Sequence, residues 1–108
     1  MRDGWLYISG STASGEDGAV VHPGNISRQA DFILARMGEV LEAAGCTYAD
    51  VVMTTDYITT TDGYRETGAV RKKYFKEPYP ASTGVIVAAL LRPGALIEID
   101  AVAKVPEK

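Results

Sequence analysis

The last third of the chain carries the clearest pattern of apolar and polar positions. The final stretch alternates, with apolar residues at Ile97, Ile99, Ala101 and Ala103, and with Glu98, Asp100 and Lys104 between them. This period of two predicts a β-strand with one buried face. From Val85 to Leu90 every residue is apolar, which predicts a central strand covered on both faces. Pro93 and Gly94 predict a tight turn between the two strands.

Apolar residues recur at helical spacing in the first half of the chain, at Ile26, Ala30, Ile33, Met37, Leu41 and Ala44. Asn25 before this stripe is a good N-cap, and Gly45 after it is a good helix terminator. A second helix is predicted to begin at Thr61–Asp62 and to end before Pro78, which cannot continue a helix. Gly68 lies inside it and costs about 1 kcal/mol relative to alanine, so space or a close backbone approach is expected there.

Three further stretches read as strands. Trp5 to Ser9 is β-branched and aromatic, and Ser9–Gly10–Ser11 is expected to break it. Residues 19–21 form a brief strand candidate, and Val51 to Ile58 is a strand by its β-branched content. The order predicts an α+β fold with a single mixed sheet packed on two helices. Two helices cover only one face of a sheet, so another copy of the chain is the simplest cover for the other face.

Composition places the chain among single-domain globular proteins, with 108 residues, 46% hydrophobic and 23% charged. The net charge of −3 argues against a nucleic-acid surface, which needs a basic face. No apolar run approaches the roughly 20 residues of a membrane-spanning helix. A single cysteine, Cys46, cannot form an internal disulfide, which suits a reducing compartment. We therefore predict a cytoplasmic protein.

Several polar residues are candidates for a catalytic or binding role. Glu98 and Asp100 share one strand face about 7 Å apart, which matters only if that face meets a pocket. For Asp56, within the third strand, we favour an exposed position near the strand end over a role as an acid with a shifted pKa in a cleft. His22 reads as a solvated loop residue, Cys46 as structural, and the run 71–73 (Arg-Lys-Lys) as a solvated helix face. No metal site or cofactor is evident.

The residues around these strands carry a family resemblance. Pro80–Thr83, the apolar strand after it, and Ile97–Ala103 resemble the C-terminal signature of the RidA/YjgF family of imine- and enamine-deaminating proteins. Residues 7–10 (Tyr-Ile-Ser-Gly), 43–45 (Ala-Ala-Gly) and 49–52 (Ala-Asp-Val-Val) extend it upstream. The resemblance implies a chorismate-mutase-like domain over residues 1–108, with a short N-terminal segment. It also implies a homotrimer whose small-molecule pockets lie in clefts between subunits.

The resemblance also implies site residues. The arginine with which family members grip a substrate carboxylate is Ser82 here, which brings no positive charge. Gly84 and Gly68 stand where a small thiol residue and an asparagine are common, so the pocket gains room. Glu98 matches the acid thought to place the hydrolytic water. The predicted substrate contacts are Ser9, Gly10, Gly68, Ser82, Thr83 and Gly84.

These residues are consistent with two functions, an enzyme and a binding protein. The first is a cofactor-free hydrolase of an imine or enamine, with Glu98 as general base or acid, on a substrate not gripped by arginine. The second is a trimer that kept the cleft but lost catalysis and binds a small metabolite. Retention of Glu98 and Thr83 favours the enzyme, and Ser82 favours the binding protein. Ribonuclease activity, also attributed to the family, ranks third because the chain is acidic and has one histidine.

Overall fold

The computed structural model describes residues 3–107. It contains four strands and two α-helices: β1 (Trp5–Thr12), α1 (Ile26–Ala43), β2 (Val51–Ile58), α2 (Thr67–Tyr74), β3 (Ala81–Ile86) and β4 (Ile97–Lys104). The strands form one mixed sheet in the order β1-β4-β2-β3. The predicted α+β architecture of one mixed sheet and two helices is confirmed.

The core lies between the helices and one face of the sheet. The predicted alternation in β4 is confirmed, since Ile97, Ile99, Ala101 and Ala103 are all buried. They pack with the apolar stripe of α1. The other face of β4 presents Glu98 and Asp100, which are only partly buried. The two helices therefore cover one sheet face, as the pattern predicted.

The strand after the second helix is not central. β3 spans Ala81–Ile86, pairs only with β2 in the described chain, and is exposed along its length. The apolar run to Leu90 leaves the sheet after Ile86, which is 65% exposed. The expectation of a central strand over Val85–Leu90 is wrong for the single chain, because β4 occupies the middle of the sheet beside β2.

The last two strands do not pair with each other either. β3 runs parallel to β2 and β4 runs antiparallel to it, on opposite sides of β2. The predicted turn exists, with Gly94 at φ 85° and a hydrogen bond of 3.1 Å from the Ala95 amide to the Arg92 carbonyl. It belongs to a connection that passes from one side of β2 to the other.

β1 is longer than predicted. Ser9, Gly10 and Ser11 do not end the strand, since pairing with β4 continues to Thr12 after a register shift between Ile8 and Ser11. Gly10 lies within this irregularity, which forms a β-bulge and does not end the strand. Residues 19–21 form no strand and contribute one isolated bridge, between Ser14 and Val20.

Helix α1 follows its prediction closely. The Asn25 side chain accepts a hydrogen bond of 3.0 Å from the Arg28 amide, and Gly45 ends the helix with φ 78°. One buried polar residue was not anticipated. Gln29 is fully buried; its side chain accepts from the Leu96 amide at 2.8 Å and donates to the Gly94 carbonyl at 3.3 Å. It ties the β3–β4 connection to α1.

Helix α2 begins later than predicted. Thr61 and Asp62 do not cap it, because Gly63 takes a left-handed conformation with φ 75° that interrupts the helical path. A 3₁₀ turn at Tyr64–Glu66 precedes the α-helix that starts at Thr67. None of the helices in residues 3–107 combines the length and apolar character needed to cross a membrane.

Asp31 joins the two helices and gives a pH prediction. Its carboxylate accepts hydrogen bonds from Lys73 at 2.8 Å and Tyr74 at 2.6 Å, which lower its pKa below the ordinary value of 3.8. A lowered carboxyl pKa stabilises the fold above pH 3.8 and stops doing so as the pH falls through the folded-state value. The side chain is 38% exposed, so solvent screening limits the gain to about 1 kcal/mol or less.

Asp31→Asn is therefore expected to lower the free energy of unfolding slightly at pH 7. It is expected to approach the wild type as the pH falls below 3.8 and through the lowered pKa of the folded state. Urea unfolding of both proteins across this range measures the difference. A difference that stays constant into acid would show that the ion pair does not cause it.

Candidate functional site

The residues predicted to form the site lie on two faces of the sheet. Along β3, Ser82 and Gly84 face the helices, and Thr83 between them faces the opposite side. Glu98 on β4 also lies on the face away from the helices, next to β1. One chain therefore does not bring Ser82 and Glu98 together. They belong to two separate hollows.

The first hollow, called here the β3 hollow, lies between α2 and the start of β3. Its volume is about 240 Å³, and its walls include Gly68, Arg71, Lys72, Phe75, Tyr79 and Ser82. A Cβ atom built on Gly68 would meet nothing within 4 Å. The expected space at Gly68 is therefore present, and no backbone approaches it.

A buried polar cluster lies beside this hollow and shares Arg71 with its wall. Asp56 is fully buried, forms an ion pair with Arg71, and accepts a hydrogen bond of 2.7 Å from the Tyr64 hydroxyl. Arg71 also donates to the Thr54 hydroxyl at 3.3 Å. The favoured exposed position for Asp56 is wrong. The side chain faces the helices because it lies two residues after buried Thr54 on the same strand.

The basic run of α2 is only partly a solvated face. Lys72 and Lys73 are exposed, but Arg71 is turned inward, with 18% of its side chain exposed. The sequence signal for this ion pair was the Asp56 carboxylate in the middle of an apolar strand, since a buried charge needs a partner. Helical spacing did not show which of the three basic residues would supply it.

The space beside Gly84 is occupied by the side chain of Tyr64. A Cβ atom at Gly84 would lie 2.6 Å from the Tyr64 hydroxyl, so the tyrosine fills the space that was predicted for a substrate. Burial and the hydrogen bond to Asp56 raise the pKa of Tyr64 to about 12. Its hydroxyl therefore remains a donor to Asp56 throughout the physiological pH range.

Gly84→Ala is accordingly expected to cost about 1–3 kcal/mol of unfolding free energy, the usual range for overpacking. The Tyr64 hydroxyl cannot move away without breaking its bond to Asp56. In a Tyr64→Phe background the nearest ring carbon lies 3.4 Å from the added methyl group, so the same substitution is expected to cost much less. Denaturant unfolding of the four proteins of this double-mutant cycle tests the coupling, and equal costs in both backgrounds would contradict it.

The second hollow, called here the Glu98 hollow, lies at the end of β1 and the start of β4. Its volume is about 350 Å³, and its walls include Gly10, Ser11, Arg36, Leu91, Arg92 and Glu98. The Glu98 carboxylate lies directly against the Gly10 backbone, where any Cβ atom would overlap it. Within residues 3–107, Glu98 forms no ion pair. The carboxylate is thus placed against glycine backbone and remains available to a ligand.

The remaining predicted contacts lie on the same face as Glu98. Ser9 lines a further hollow with Thr55 and Asp100, and Thr83 pairs with Thr55. Asp100 accepts a hydrogen bond of 2.9 Å from the Tyr57 hydroxyl, which raises the pKa of Tyr57. The two carboxylates of β4 therefore differ, because Asp100 accepts a side-chain hydrogen bond, whereas Glu98 accepts none from the part of the chain that the structure describes.

Comparison with known proteins assigns the chain to a family. Residues 1–105 match the family model described as Endoribonuclease L-PSP. The chain belongs to this endoribonuclease L-PSP family. It is 37% identical over 103 residues to the human 2-iminobutanoate/2-iminopropanoate deaminase, covering 95% of this chain and 74% of the human one. The resemblance to the RidA/YjgF family is thereby confirmed.

Solved structures of endoribonuclease L-PSP relatives share the fold. A YjgF/YER057c/UK114 family member from Mycobacterium tuberculosis is 36% identical, with a TM-score of 0.80 over 94% of this chain and 80% of that chain. YyfA from Yersinia pestis, a Rid-family protein of unknown function, is 34% identical, with a TM-score of 0.88 over 97% of this chain and 83% of that chain. The sheet and helices described above are therefore the family's architecture.

Two other polar residues of this endoribonuclease L-PSP family chain lie outside both hollows. His22 is exposed in its loop, as predicted, and its ring meets Phe32 edge-on at 6.4 Å. Cys46 is buried, and burial raises the pKa of its thiol, which agrees with a structural role. Among residues 3–107, no group of three or more His, Cys, Asp or Glu side chains is arranged to hold a metal ion.

Proposed function

We propose that this chain is a cofactor-free hydrolase of imines or enamines. The observation that carries the proposal is the Glu98 carboxylate, which lies against the Gly10 backbone without an ion pair in residues 3–107. The identity to a human 2-iminobutanoate/2-iminopropanoate deaminase supports the same reaction class. Such a carboxylate suits a general base that places a water molecule.

Hydrolysis of an imine requires few protein side chains. Glu98 accepts a proton from water as the water oxygen bonds to the imine carbon, and it returns this proton to the imine nitrogen, which gives a neutral tetrahedral carbinolamine. Glu98 then takes the proton of the new hydroxyl group and passes it to the same nitrogen. The C–N bond breaks, ammonia leaves, and the carbon retains the oxygen as a carbonyl group. Arg36 and Arg92 line the same hollow, and their N–H donors can stabilise negative charge that develops on oxygen.

The complete site is proposed to lie in a cleft between the subunits of a homotrimer. Ser82 and Glu98 lie on opposite faces of one sheet, so only a second copy can place Glu98 near the β3 hollow. Apolar residues on the surfaces left uncovered in the single chain support such an assembly, including Tyr7 at 63% and Ile86 at 65% exposure. A cytoplasmic location remains a prediction from composition.

The substrate differs from those gripped by a strand arginine. Ser82 occupies that position and supplies at most one neutral hydrogen bond, so this chain is proposed to belong to a subgroup without the arginine. In the proposed assignment Ser82, Thr83 and Ser9 are polar contacts, and Gly68 provides room. Gly84 acts indirectly, because its space is taken by Tyr64.

A non-catalytic trimer that binds a small metabolite is the alternative. The specific observation in its favour is the absence of a cationic side chain at Ser82, since a weakly held substrate gives little turnover. This reading predicts ligand binding in the cleft with no acceleration of hydrolysis.

Ammonia release distinguishes the two functions. An amino-acid oxidase generates imino acids in place from amino acids with small, aromatic and basic side chains, and the purified protein is added in increasing amounts. The enzyme is expected to accelerate ammonia release in proportion to its concentration. A rate equal to that of the oxidase alone for every side chain, from a protein shown to be folded, would favour the binding function.

A further inference from the structure

The Glu98 hollow contains charged groups that do not neutralise one another. Glu98, Arg36 and Arg92 all line it. Within residues 3–107 neither arginine forms an ion pair with a carboxylate, and Glu98 forms none with a cation. Two unpaired guanidinium groups and one unpaired carboxylate therefore share a space of about 350 Å³. The excess of positive charge favours a ligand that carries an anionic group.

The guanidinium of Arg36 is held in position before a ligand arrives. Its Nη1 donates a hydrogen bond of 2.8 Å to the Ser14 carbonyl, and its Cζ lies 4.7 Å from the centre of the Phe32 ring. A guanidinium has five N–H donors in a planar fork, so the donors that the carbonyl does not use remain for a ligand. Because the side chain is already fixed, it loses little conformational entropy when it binds an anion.

Arg92 reaches the same hollow from a different segment, the connection between β3 and β4. Its Nη1 would lie 3.2 Å from a Cβ atom built on Gly18, so the guanidinium lies against the loop that follows β1. The missing side chain of Gly18 leaves room for it there. One guanidinium from α1 and one from the β3–β4 connection therefore line a single space.

Hydroxyl groups of the hollow add a neutral donor. Thr12 and Ser14 both line it, and their hydroxyl oxygens lie 2.7 Å apart. One of the two hydroxyls donates to the other. Whichever does so, the accepting hydroxyl keeps its own hydrogen for a third partner. The hollow thus offers one free O–H donor beside the two guanidinium groups.

This set of donors favours a phosphate group over a carboxylate. A carboxylate has two oxygens, and a single guanidinium fork satisfies both of them. A phosphate monoester has three terminal oxygens and a charge of about −1.5 to −2 at pH 7, so it can use both forks and the hydroxyl at once. Glu98 repels an anion that comes close to it, so the phosphate is expected near the arginines and the rest of the ligand near Glu98.

We propose that the Glu98 hollow binds the phosphate group of a phosphate monoester, which is held by Arg36, Arg92 and one hydroxyl of the Thr12–Ser14 pair. The inference rests on the proposed function in one respect only. It makes the imine or enamine substrate a phosphorylated one, whose reacting carbon lies towards Glu98.

Direct binding tests the inference without turnover. The full chain is titrated with phenyl phosphate, benzoate and phenol at the same pH and ionic strength, by calorimetry or NMR. Phenyl phosphate is expected to bind at least about 10-fold more tightly than benzoate, the effect of roughly one further hydrogen bond to a charged group. Phenol, which is neutral, is expected to bind most weakly. Equal or weaker binding of phenyl phosphate than of benzoate would overturn the proposal.

Variants locate the phosphate. Arg92→Gln removes an exposed guanidinium and is expected to weaken the binding of phenyl phosphate about 10-fold to 100-fold. Arg36→Gln is expected to weaken it to a similar extent, and circular dichroism checks its fold because the bond to the Ser14 carbonyl is also lost. The matched control is Arg28→Gln, which removes the same charge from an exposed position of α1 outside the hollow. It is expected to bind phenyl phosphate like the wild type.

Equal losses in Arg28→Gln and Arg92→Gln would attribute the binding to general surface charge and refute the inference. Unchanged binding in both Arg92→Gln and folded Arg36→Gln would place the phosphate elsewhere and refute it as well.

Turnover separates the inference from the proposed function. The imines that methylamine forms with 4-formylphenyl phosphate and with 4-hydroxybenzaldehyde differ in the phosphate, and the phosphorylated imine is expected to have a kcat/KM at least about 10-fold higher. Hydrolysis of both imines without this preference would refute only the inference. Selective binding of phenyl phosphate without hydrolysis of either imine would refute only the proposed enzyme function.

Discussion

Glu98→Gln is expected to reduce imine hydrolysis by at least about 100-fold, the lower end of the usual contribution of general acid–base catalysis. Glutamine preserves the size of the side chain, but it cannot accept a proton from water at neutral pH. The carboxylate forms no ion pair with residues 3–107, and glutamine has the shape to keep the packing against Gly10. The melting temperature and the oligomeric state are therefore expected to stay unchanged.

The matched control is Asp100→Asn. It removes the other carboxylate on the same face of β4, outside the Glu98 hollow. The control is expected to retain most of the turnover. Equal activity of Glu98→Gln and the wild type would refute the catalytic role assigned to Glu98. Equal losses in both variants would attribute the effect to the general charge of the face.

Among the single substitutions proposed here, Arg71→Met is expected to cause the largest loss of stability. The expected loss is about 3–5 kcal/mol of unfolding free energy, as for a buried ion pair that loses one partner. Asp56 is fully buried, and its Oδ1 already lacks a hydrogen-bond partner within residues 3–107. Without Arg71 the carboxylate would retain only the hydrogen bond from Tyr64. Denaturant unfolding of the variant and the wild type measures the difference.

The double variant Asp56→Val/Arg71→Met separates the cost of an orphaned charge from the value of the ion pair. Because it buries no unpaired charge, it is expected to recover most of the stability that Arg71→Met loses. A double variant as unstable as Arg71→Met would mean that packing of the arginine stem, rather than the charge on Asp56, is responsible.

Local patterns predicted the elements well where one signal dominated. The alternation from Ile97 to Ala103 predicted both the strand β4 and its buried face. Asn25 and Gly45 marked the ends of α1, and the β-branched run Val51–Ile58 matched β2 in full. In each case the side chains of the segment itself carry the signal, because alternation and capping are properties of short stretches of backbone.

Predictions failed where a residue's role depends on a distant partner. Asp56 looked like an exposed strand-end acid, since its partners Tyr64 and Arg71 come from later in the chain. Gly84 looked like space for a substrate, because the sequence does not show that Tyr64 fills it. Ser82 and Glu98 lie on opposite faces of one sheet, which emerges only with the strand order, and their meeting in a cleft between subunits stays a prediction.

The class of fold, the family and the buried face of β4 could be read from the amino-acid sequence, because they follow from local periodicity and from motif residues. The strand order β1-β4-β2-β3, the edge position of β3 and the ion pair between Asp56 and Arg71 required the folded chain. Strand order depends on which long-range pairings bury the most apolar surface, and a buried charge is stable only where the chain returns with its counter-charge. Both are properties of the whole packed chain.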